Sequence, residues 1–190
     1  ANSQYGTSRI GTVSGTSISY ATEYVFNSAA SLANVMAVSK TGKFVVVWGG
    51  NPGNSIIGTV SGTAISYGTA VNFISAATQS LNVSFDPVAT DRFVVIYEDS
   101  QNSNYGTARV GTVSGSSISY GTKAAYTTTI TTVVGLSFDP NASGMFAVAY
   151  NAGAANGTAV ISQLPATVVT TNLTSTNLLG ISAEAITSGA

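Results

Sequence analysis

Three short stretches of the sequence are apolar at nearly every position, and they recur at similar intervals. They occupy residues 44–48, 93–97 and 146–150, with the sequences FVVVW, FVVIY and FAVAY. A strand that is apolar on both of its faces is covered on both sides, as in the middle of stacked sheets. These stretches therefore predict three buried strands, each lying between two layers of structure.

Other segments alternate between polar and apolar positions. Residues 7–13 alternate over a short distance and so predict a strand of period two. Ser14-Gly15-Thr16 then predicts a tight hairpin turn, because glycine accepts a positive φ at low cost. A second strand is predicted to begin at Ile18 and to continue to Phe26.

A further strand precedes each of the later apolar stretches. It covers residues 81–85 in one place and 133–138 in the other, and it ends in an Asp-Pro pair that begins at Asp86 or Asp139. Proline fixes φ, and the aspartate side chain accepts hydrogen bonds from the backbone ahead of it. Each Asp-Pro pair therefore predicts a turn.

These elements belong to a repeat whose most regular part is Gly-Thr-Val-Ser-Gly. The pentapeptide occurs at 11–15, 58–62 and 111–115, with a period of about 50 residues and no helical pattern inside it. Four short antiparallel strands in that length correspond to one β-propeller blade. The sequence thus predicts an all-β array of four-stranded antiparallel repeats like propeller blades. A β-prism or fibre-like stack is the alternative geometry.

The array is predicted to occupy residues 1–162. Its repeats lie at about 5–53, 54–104 and 105–155, and a fourth begins at 156–162. Residues 163–190 resemble no earlier segment, and they are either a closing strand or the start of a further module. We expect buried side chains at equivalent places in three sheets, namely Val13, Ile18, Val46, Val60, Ile65, Val95, Val113, Ile118 and Val148.

The composition narrows the possible function classes. Charged residues make up 7% of the chain, against roughly 25% in an ordinary soluble domain, and the net charge is −1. The basic residues form no run, so the chain has no electrostatic footprint for nucleic acid. The absence of cysteine and histidine excludes disulfides, thiolate chemistry, zinc sites and a histidine general base. No apolar run of about 20 residues predicts a membrane helix, and no signal peptide is visible.

Arginine and tyrosine recur together and form the candidate binding residues. Arg9 and Arg109 occupy equivalent positions near Tyr5 and Tyr105, and this combination is typical of carbohydrate or anion binding. Packing of the arginine stem across an aromatic ring explains the same pattern, and we prefer it. Trp48 ends an apolar strand, as a core aromatic or as a sugar platform. The candidate ligand-binding set is therefore Tyr5, Arg9, Trp48, Tyr105 and Arg109.

The acidic residues give no catalytic or metal-binding pattern. Asp86 and Asp139 could form a carboxylate pair for glycoside hydrolysis, but their place before proline favours local turn caps. Asp91, Glu98 and Asp99 lack the regular spacing of a calcium loop, and we expect them to be solvated loop charges. We therefore expect no enzymatic activity, no catalytic residues, no metal site and no cofactor.

The repeat resembles those of bacteriophage tail-fibre or head-fibre proteins, notably from marine and cyanobacterial phages. The likeness rests on residues 105–122, on the Ser-Phe-Asp-Pro turns and on Phe-Val-Val-Ile-Tyr, and it extends to the segment 167–182. It implies a virion-surface, extracellular appendage that forms a homo-oligomer, with a trimer favoured, and that contacts other virion proteins and host glycans. The short turn at 39–43 and the lack of Tyr and Arg in the second copy depart from this pattern.

Two functions follow as hypotheses. The first is a structural and adhesion module of a phage fibre, because the surface is rich in Ser, Thr, Gly and Asn and carries no charge clusters. The alternative is a propeller-type lectin that holds sugars between its blades on arginine and aromatic side chains.

Overall fold

The computed structural model describes residues 4–78, 80–89, 91–152 and 156–163. These residues form strands connected by turns, with no helix among them, so the predicted all-β class is confirmed. The strands are β1 (Tyr5–Ser8), β2 (Gly11–Ser14), β3 (Ser17–Tyr20), β4 (Tyr24–Ala30), β5 (Leu32–Val38), β6 (Lys43–Gly49), β7 (Gly53–Ser61), β8 (Ala64–Tyr67), β9 (Val71–Ile74), β10 (Leu81–Phe85), β11 (Arg92–Asp99), β12 (Tyr105–Ser114), β13 (Ser117–Phe138), β14 (Met145–Ala152) and β15 (Asn156–Gln163).

The strands form four antiparallel groups, which we call units I to IV. Unit I contains the pairs β1–β4 and β2–β3, and unit II has the order β5–β6–β7–β8 with β9 also paired to β7. Unit III consists of β10, β11, β12 and the first part of β13, residues 117–130. Unit IV consists of residues 131–138 of β13 with β14 and β15. The long strand β13 therefore joins two units.

The units are offset from the sequence repeats. In unit III, β10 and β11 come from the second repeat, whereas β12 and β13 come from the third. Unit II likewise pairs β6, from the first repeat, with β7, which lies almost wholly in the second. Hydrogen bonding within a unit thus connects consecutive repeats. Residues 164–190, which include the predicted tail, lie outside the described part of the chain.

The hairpin predicted at each Gly-Thr-Val-Ser-Gly copy is present. Strands β2 and β3 are joined by a two-residue turn, and Gly15, Gly62 and Gly115 have φ values of 59°, 60° and 60°. A glycine with positive φ at the first central position is typical of a type II′ turn, whose twist suits the flanking strands. The repeated motif therefore encodes a repeated turn.

The units stack face to face through three apolar layers. Strand β6 directs Phe44, Val46 and Trp48 into the layer shared with unit I, and Val45 and Val47 into the layer shared with unit III. Strand β11 similarly directs Phe93, Val95 and Tyr97 toward unit II, and Val94 and Ile96 toward unit IV. The prediction of strands covered on both faces is thus confirmed for β6 and β11. It is wrong for β14, because Ala147 and Ala149 on its second face are exposed.

The expected burial is confirmed for most of these positions and is wrong for the hairpin β2–β3 of the first repeat. Val46, Ile65, Val95, Val113, Ile118 and Val148 are buried, and Val60 is half-buried. Val13 and Ile18 are instead 70% and 58% exposed. The reason is local: Val113 and Ile118 pack into the layer between units II and III, whereas no described strand covers that face of β2 and β3.

The stacking predicts very different costs for two valine truncations. Val95→Ala should lower the free energy of unfolding by about 1–3 kcal/mol, because it leaves a cavity in a strand buried on both faces. Val13→Ala, at an exposed position, should change it by no more than about 0.5 kcal/mol. Denaturant unfolding measures both, and equal effects of the two changes would contradict the layered packing.

Candidate functional site

Arg109 holds units II and III together. Its Nε donates a hydrogen bond to the carbonyl of Gly121 at 2.7 Å, and its Nη1 donates to the carbonyl of Phe73 at 2.7 Å. The guanidinium lies over the ring of Tyr120, 5.3 Å from its centroid. The aromatic partner is thus Tyr120 and not the sequence neighbour Tyr105. A cation over an aromatic face, with two backbone acceptors, makes this arginine a clamp between units.

A buried hydroxyl network continues from this clamp. The hydroxyl of Tyr120 donates to Ser55 Oγ at 2.8 Å, and Ser55 Oγ donates to the carbonyl of Val71 at 2.9 Å. Burial raises the pKa of Tyr120, despite the hydrogen bond to Ser55 and the nearby guanidinium. Burial likewise raises the pKa of Tyr97. Both phenols therefore stay neutral, and the hydroxyl of Tyr120 acts as a structural hydrogen-bond donor.

The other predicted ligand-binding residues lie apart from this clamp. Arg9 is exposed and forms an ion pair with Glu23, with 3.2 Å between Nη2 and Oε2. Tyr5 is exposed and Tyr105 is half-buried. Trp48 is buried, and its ring centroid lies 5.4 Å from that of Phe26. The contacts of Trp48 are those of a core residue, which is one of the two roles that its place at the end of an apolar strand allows.

An open groove lies between unit I and unit II. It has a volume of about 350 Å³, and Arg9 lines it, whereas the other four predicted ligand-binding residues do not. Residues 7–10 form one wall, and most of the remaining lining is apolar. Its lining includes Thr7, Ser8, Ile10, Met36, Val38, Phe44 and Val46. Its chemistry suits apolar side chains better than a sugar, which needs several polar partners.

Asp86 is a structural carboxylate between units III and IV. It is buried and accepts hydrogen bonds from the backbone N–H groups of Val88 (2.9 Å), Ala89 (3.0 Å) and Gly144 (2.9 Å). Arg92 Nη2 lies 2.6 Å from its second oxygen. Burial alone would raise the pKa of Asp86, but the guanidinium and the three N–H groups together hold it below its ordinary value.

The turn-cap prediction is confirmed for both Asp-Pro pairs. Asp139 accepts a hydrogen bond from the N–H of Asn141 at 2.8 Å, as Asp86 does from Val88. The expectation that Asp99 is a solvated loop charge is wrong. Asp99 is buried, lies 2.7 Å from Lys123 Nζ and accepts from the N–H of Gln101 at 3.0 Å. Sequence spacing gave no sign of this pair, because Lys123 follows 24 residues later on another strand.

The described residues show neither a metal-binding cluster nor a membrane span. Among them, no group of three or more acidic residues could hold a metal ion. Within the same part of the chain, no helix is long and apolar enough to cross a membrane.

Comparisons with known proteins show a likeness in fold and none in sequence family. No family model matches the sequence, and no curated protein sequence matches it. Among solved structures, the chain is similar to the crystal structure of Saccharomyces cerevisiae Sqt1, with a TM-score of 0.50 and 12% sequence identity. The match covers 70% of this chain and 31% of the Sqt1 chain, so this chain spans less than a third of that protein. At this identity the likeness concerns the fold alone.

The buried Asp86 pair predicts a pH-dependent stability. Asp86→Asn should lower the free energy of unfolding near neutral pH by about 1–3 kcal/mol, since the amide loses the ionic contact with Arg92 and directs N–H groups toward a donor. Because the folded pKa is lowered from 3.8, the contribution is complete above that value and is lost as pH falls through the folded pKa.

The difference between the wild type and Asp86→Asn should therefore shrink from about pH 5 to about pH 2. Urea unfolding over this range measures it, with the exposed Asp91→Asn as a matched control. A difference that stays constant with pH would contradict the role assigned to the ionised carboxylate.

Proposed function

We propose that this chain is a structural and adhesion module of a virion appendage of the phage-fibre type. The observation that carries the proposal is the face-to-face stack, in which units II and III are each covered on both faces by neighbouring units. A chain built in this way extends by adding units, as repeat arrays do. The assignment to a virion and to an extracellular location rests on the resemblance of the repeat to those of phage fibres. The low charge of the chain supports close packing between copies.

We propose further that the units are blade-like. Units II and III each contain four consecutive antiparallel strands, which is the content of a propeller blade. The likeness to the propeller-like Sqt1 supports this geometry. The alternative of a β-prism keeps the same strands and differs in how successive units rotate about a common axis.

The proposed module acts by binding and not by catalysis. The two buried aspartates are engaged in structure, since Asp86 pairs with Arg92 and Asp99 pairs with Lys123. A general acid or nucleophile needs access to substrate, and these carboxylates have almost none. The proposal therefore includes no enzymatic activity and no cofactor.

The stack has two ends, and we propose that they drive self-assembly. At one end, Val13, Ile18 and Tyr20 expose an apolar face. At the other, strand β15 pairs only with β14 among the described residues, and Ile161 is exposed. Exposed strand edges and apolar faces favour association unless charged residues oppose it, and this chain has few. A homo-oligomer results, with a trimer as the state that the resemblance implies.

Light scattering at micromolar concentration tests this assembly. The expected result is a defined oligomer whose mass is a multiple of 19.1 kDa. Ile18→Lys should shift the population toward the monomer, because it places a charge on the apolar end face. A stable, monodisperse wild-type monomer would overturn the assembly proposal.

A lectin remains the second candidate, favoured by the exposure of Tyr5 and Arg9 on unit I. A glycan array separates it from a purely structural module. In the lectin, Arg9→Ala should weaken sugar binding by about tenfold or more, as expected for loss of a charged hydrogen bond to a ligand. The exposed Lys40→Ala is the control, and an array without any bound glycan would exclude this candidate.

A further inference from the structure

Unit I repeats the β12–β13 pairing of unit III, but no described strand of unit I takes the place of β10 and β11. In unit III, Tyr105 pairs with Ile130 and Thr107 pairs with Ala125. In unit I, Tyr5 pairs with Ala30 and Thr7 pairs with Val25, in the same register. The opposite edge of β12 is paired with β11, and the opposite edge of β7 is paired with β6. Among the described strands, none occupies that edge of β1 and β2.

At this edge, a backbone N–H group points outward and can donate a hydrogen bond to an added strand. In the two later copies, the valine of the pentapeptide donates its N–H to the preceding strand: Val60 to the carbonyl of Gly42 at 3.3 Å, and Val113 to the carbonyl of Asp91 at 2.7 Å. Val13 is the equivalent residue. In the hairpin, Ser14 and Ser17 form the hydrogen-bonded pair that closes the turn, and Val13 pairs with Ile18 at the next position. Because hydrogen-bonded and non-hydrogen-bonded pairs alternate, the N–H of Val13 points away from β3.

The side chains around Gly11 form a vacant position for an aromatic ring. A Cβ on Gly58 or Gly111 would lie 2.1 or 2.2 Å from the ring of Phe44 or Phe93 on the preceding strand. A tyrosine meets that ring edge-on, as Tyr120 does with Phe93, at 5.9 Å between centroids. At Gly11, the nearest atom is the ring of Tyr20 at 3.3 Å, and Tyr20 is exposed. Unit I thus has the glycine (Gly11) and the tyrosine (Tyr20) of this arrangement, but no described phenylalanine lies between them.

The floor beside this edge is also uncovered. In unit III, Val83 and Phe85 of β10 are buried in the layer against unit II. Met36 and Val38 hold the matching register positions on β5, opposite Val46 and Phe44, and are 55% and 65% exposed. They line the groove of about 350 Å³ together with Thr7, Ser8 and Ile10. An open strand edge and an apolar floor thus meet in one groove.

We infer that this groove is an acceptor site for a β-hairpin from a repeat outside residues 4–163, with the Leu-x-Val…Phe-Val-Val-Ile-Tyr pattern of residues 81–99. The two later copies of the repeat show this occupant at the equivalent edge, where β10 and β11 fill it in unit III. Addition of a strand to an open edge supplies backbone hydrogen bonds, and the alternate side chains supply specificity. The inference holds whether or not the chain belongs to a virion.

We assign the hairpin that fills the groove to another repeat, and not to a second copy of residues 4–163. In such a copy, each strand of the required pattern already has neighbours on both edges: β6 between β5 and β7, β11 between β10 and β12, and β14 between β13 and β15. A second copy would have to release one of these pairings before it could donate. A hairpin whose own outer edge is unpaired has no such pairing to lose.

The register of the bound hairpin follows from unit III. Phe93 pairs with Gly111, Val95 with Arg109 and Ile96 with Ala108. The donor phenylalanine therefore lies over Gly11, and the residue in the place of Ile96 lies opposite Ser8. Val94 and Ile96 face the next unit in the chain. In the acceptor groove, the same two donor positions face Met36 and Val38.

Binding of a labelled peptide tests the inference. The probe is a synthetic peptide of residues 81–99 with a fluorophore, titrated with the full chain and followed by fluorescence anisotropy. We expect saturable binding with one peptide per chain. Gly11→Val fills the ring position and Met36→Lys places a charge on the floor, and each should weaken binding by at least about tenfold.

Matched controls distinguish binding at this site from nonspecific binding of the peptide. Val88→Lys changes a valine on unit III that is 52% exposed, and it should leave binding unchanged. A peptide with Phe93→Ala should bind at least about tenfold more weakly than the parent peptide. Absence of saturable binding to the wild type, or equal binding to Gly11→Val and Met36→Lys variants that keep the wild-type melting temperature, would overturn the inference.

The register can be tested separately, because the chain contains no cysteine. Ser8→Cys in the protein and Ile96→Cys in the peptide form a directly opposed pair in the predicted register, within the reach of a disulfide. Oxidation should cross-link this pair, and a peptide with Val95→Cys, which directs its side chain to the other face, should not cross-link. The reverse result would contradict the predicted alignment.

Discussion

The structure depends on strands that are apolar on both faces. Val45 and Val47 of β6 pack toward unit III, whereas Phe44, Val46 and Trp48 pack toward unit I. Burial of a valine or phenylalanine side chain stabilises the folded state by about 1.5–3 kcal/mol, and each neighbouring unit buries only the side chains on its own face of the strand. A unit separated from its neighbours would expose both faces of its central strand. The stack, and not the single unit, is therefore the stable object.

A second constraint connects one repeat to the next. The first glycine of Gly-Thr-Val-Ser-Gly lies against a phenylalanine from the preceding repeat, since Phe44 pairs with Gly58 and Phe93 pairs with Gly111. A side chain at either glycine would enter the phenylalanine ring. Glycine within a strand commonly marks such a close approach. The most regular motif of the sequence thus encodes a contact between repeats, which explains why the units are offset from the repeats.

Much of this fold could be predicted from the sequence. The hairpin turns depend on one local glycine, and the two-faced strands depend on continuous apolar runs, so both are visible in short windows. The length of β13 was not visible, because residues 127–132 are all threonine except Ile130 and show no alternating pattern, although threonine is favourable in strands. Burial of Val13 and Ile18 was predicted from their likeness to Val113 and Ile118. That prediction was wrong because burial depends on the neighbouring unit and not on the hairpin itself.

In the candidate site, too, the contacts between units could not be predicted from the sequence. The pairing of Asp99 with Lys123, and of Arg109 with Tyr120 and the carbonyl of Phe73, joins elements that are distant in sequence. Spacing alone predicted an arginine near a tyrosine, but it indicated Tyr105 as the partner. The turn caps of Asp86 and Asp139 were predictable because their hydrogen bonds span two or three residues. Interactions within a turn are encoded locally, and interactions between units are not.

Comparison of equivalent positions distinguishes packing from binding at Arg9. The register aligns Arg9 with Ile56 and Arg109, since each lies two residues before the first glycine of the pentapeptide. Ile56 is buried against unit I, and Arg109 donates to a carbonyl of unit II. In both later repeats this position thus faces the preceding unit. The exposure of Arg9 then has the same origin as that of Val13, Ile18 and Tyr20: the face on which it lies is uncovered by any described strand. The equivalence of these three positions favours an assembly role for Arg9 over a sugar-binding role.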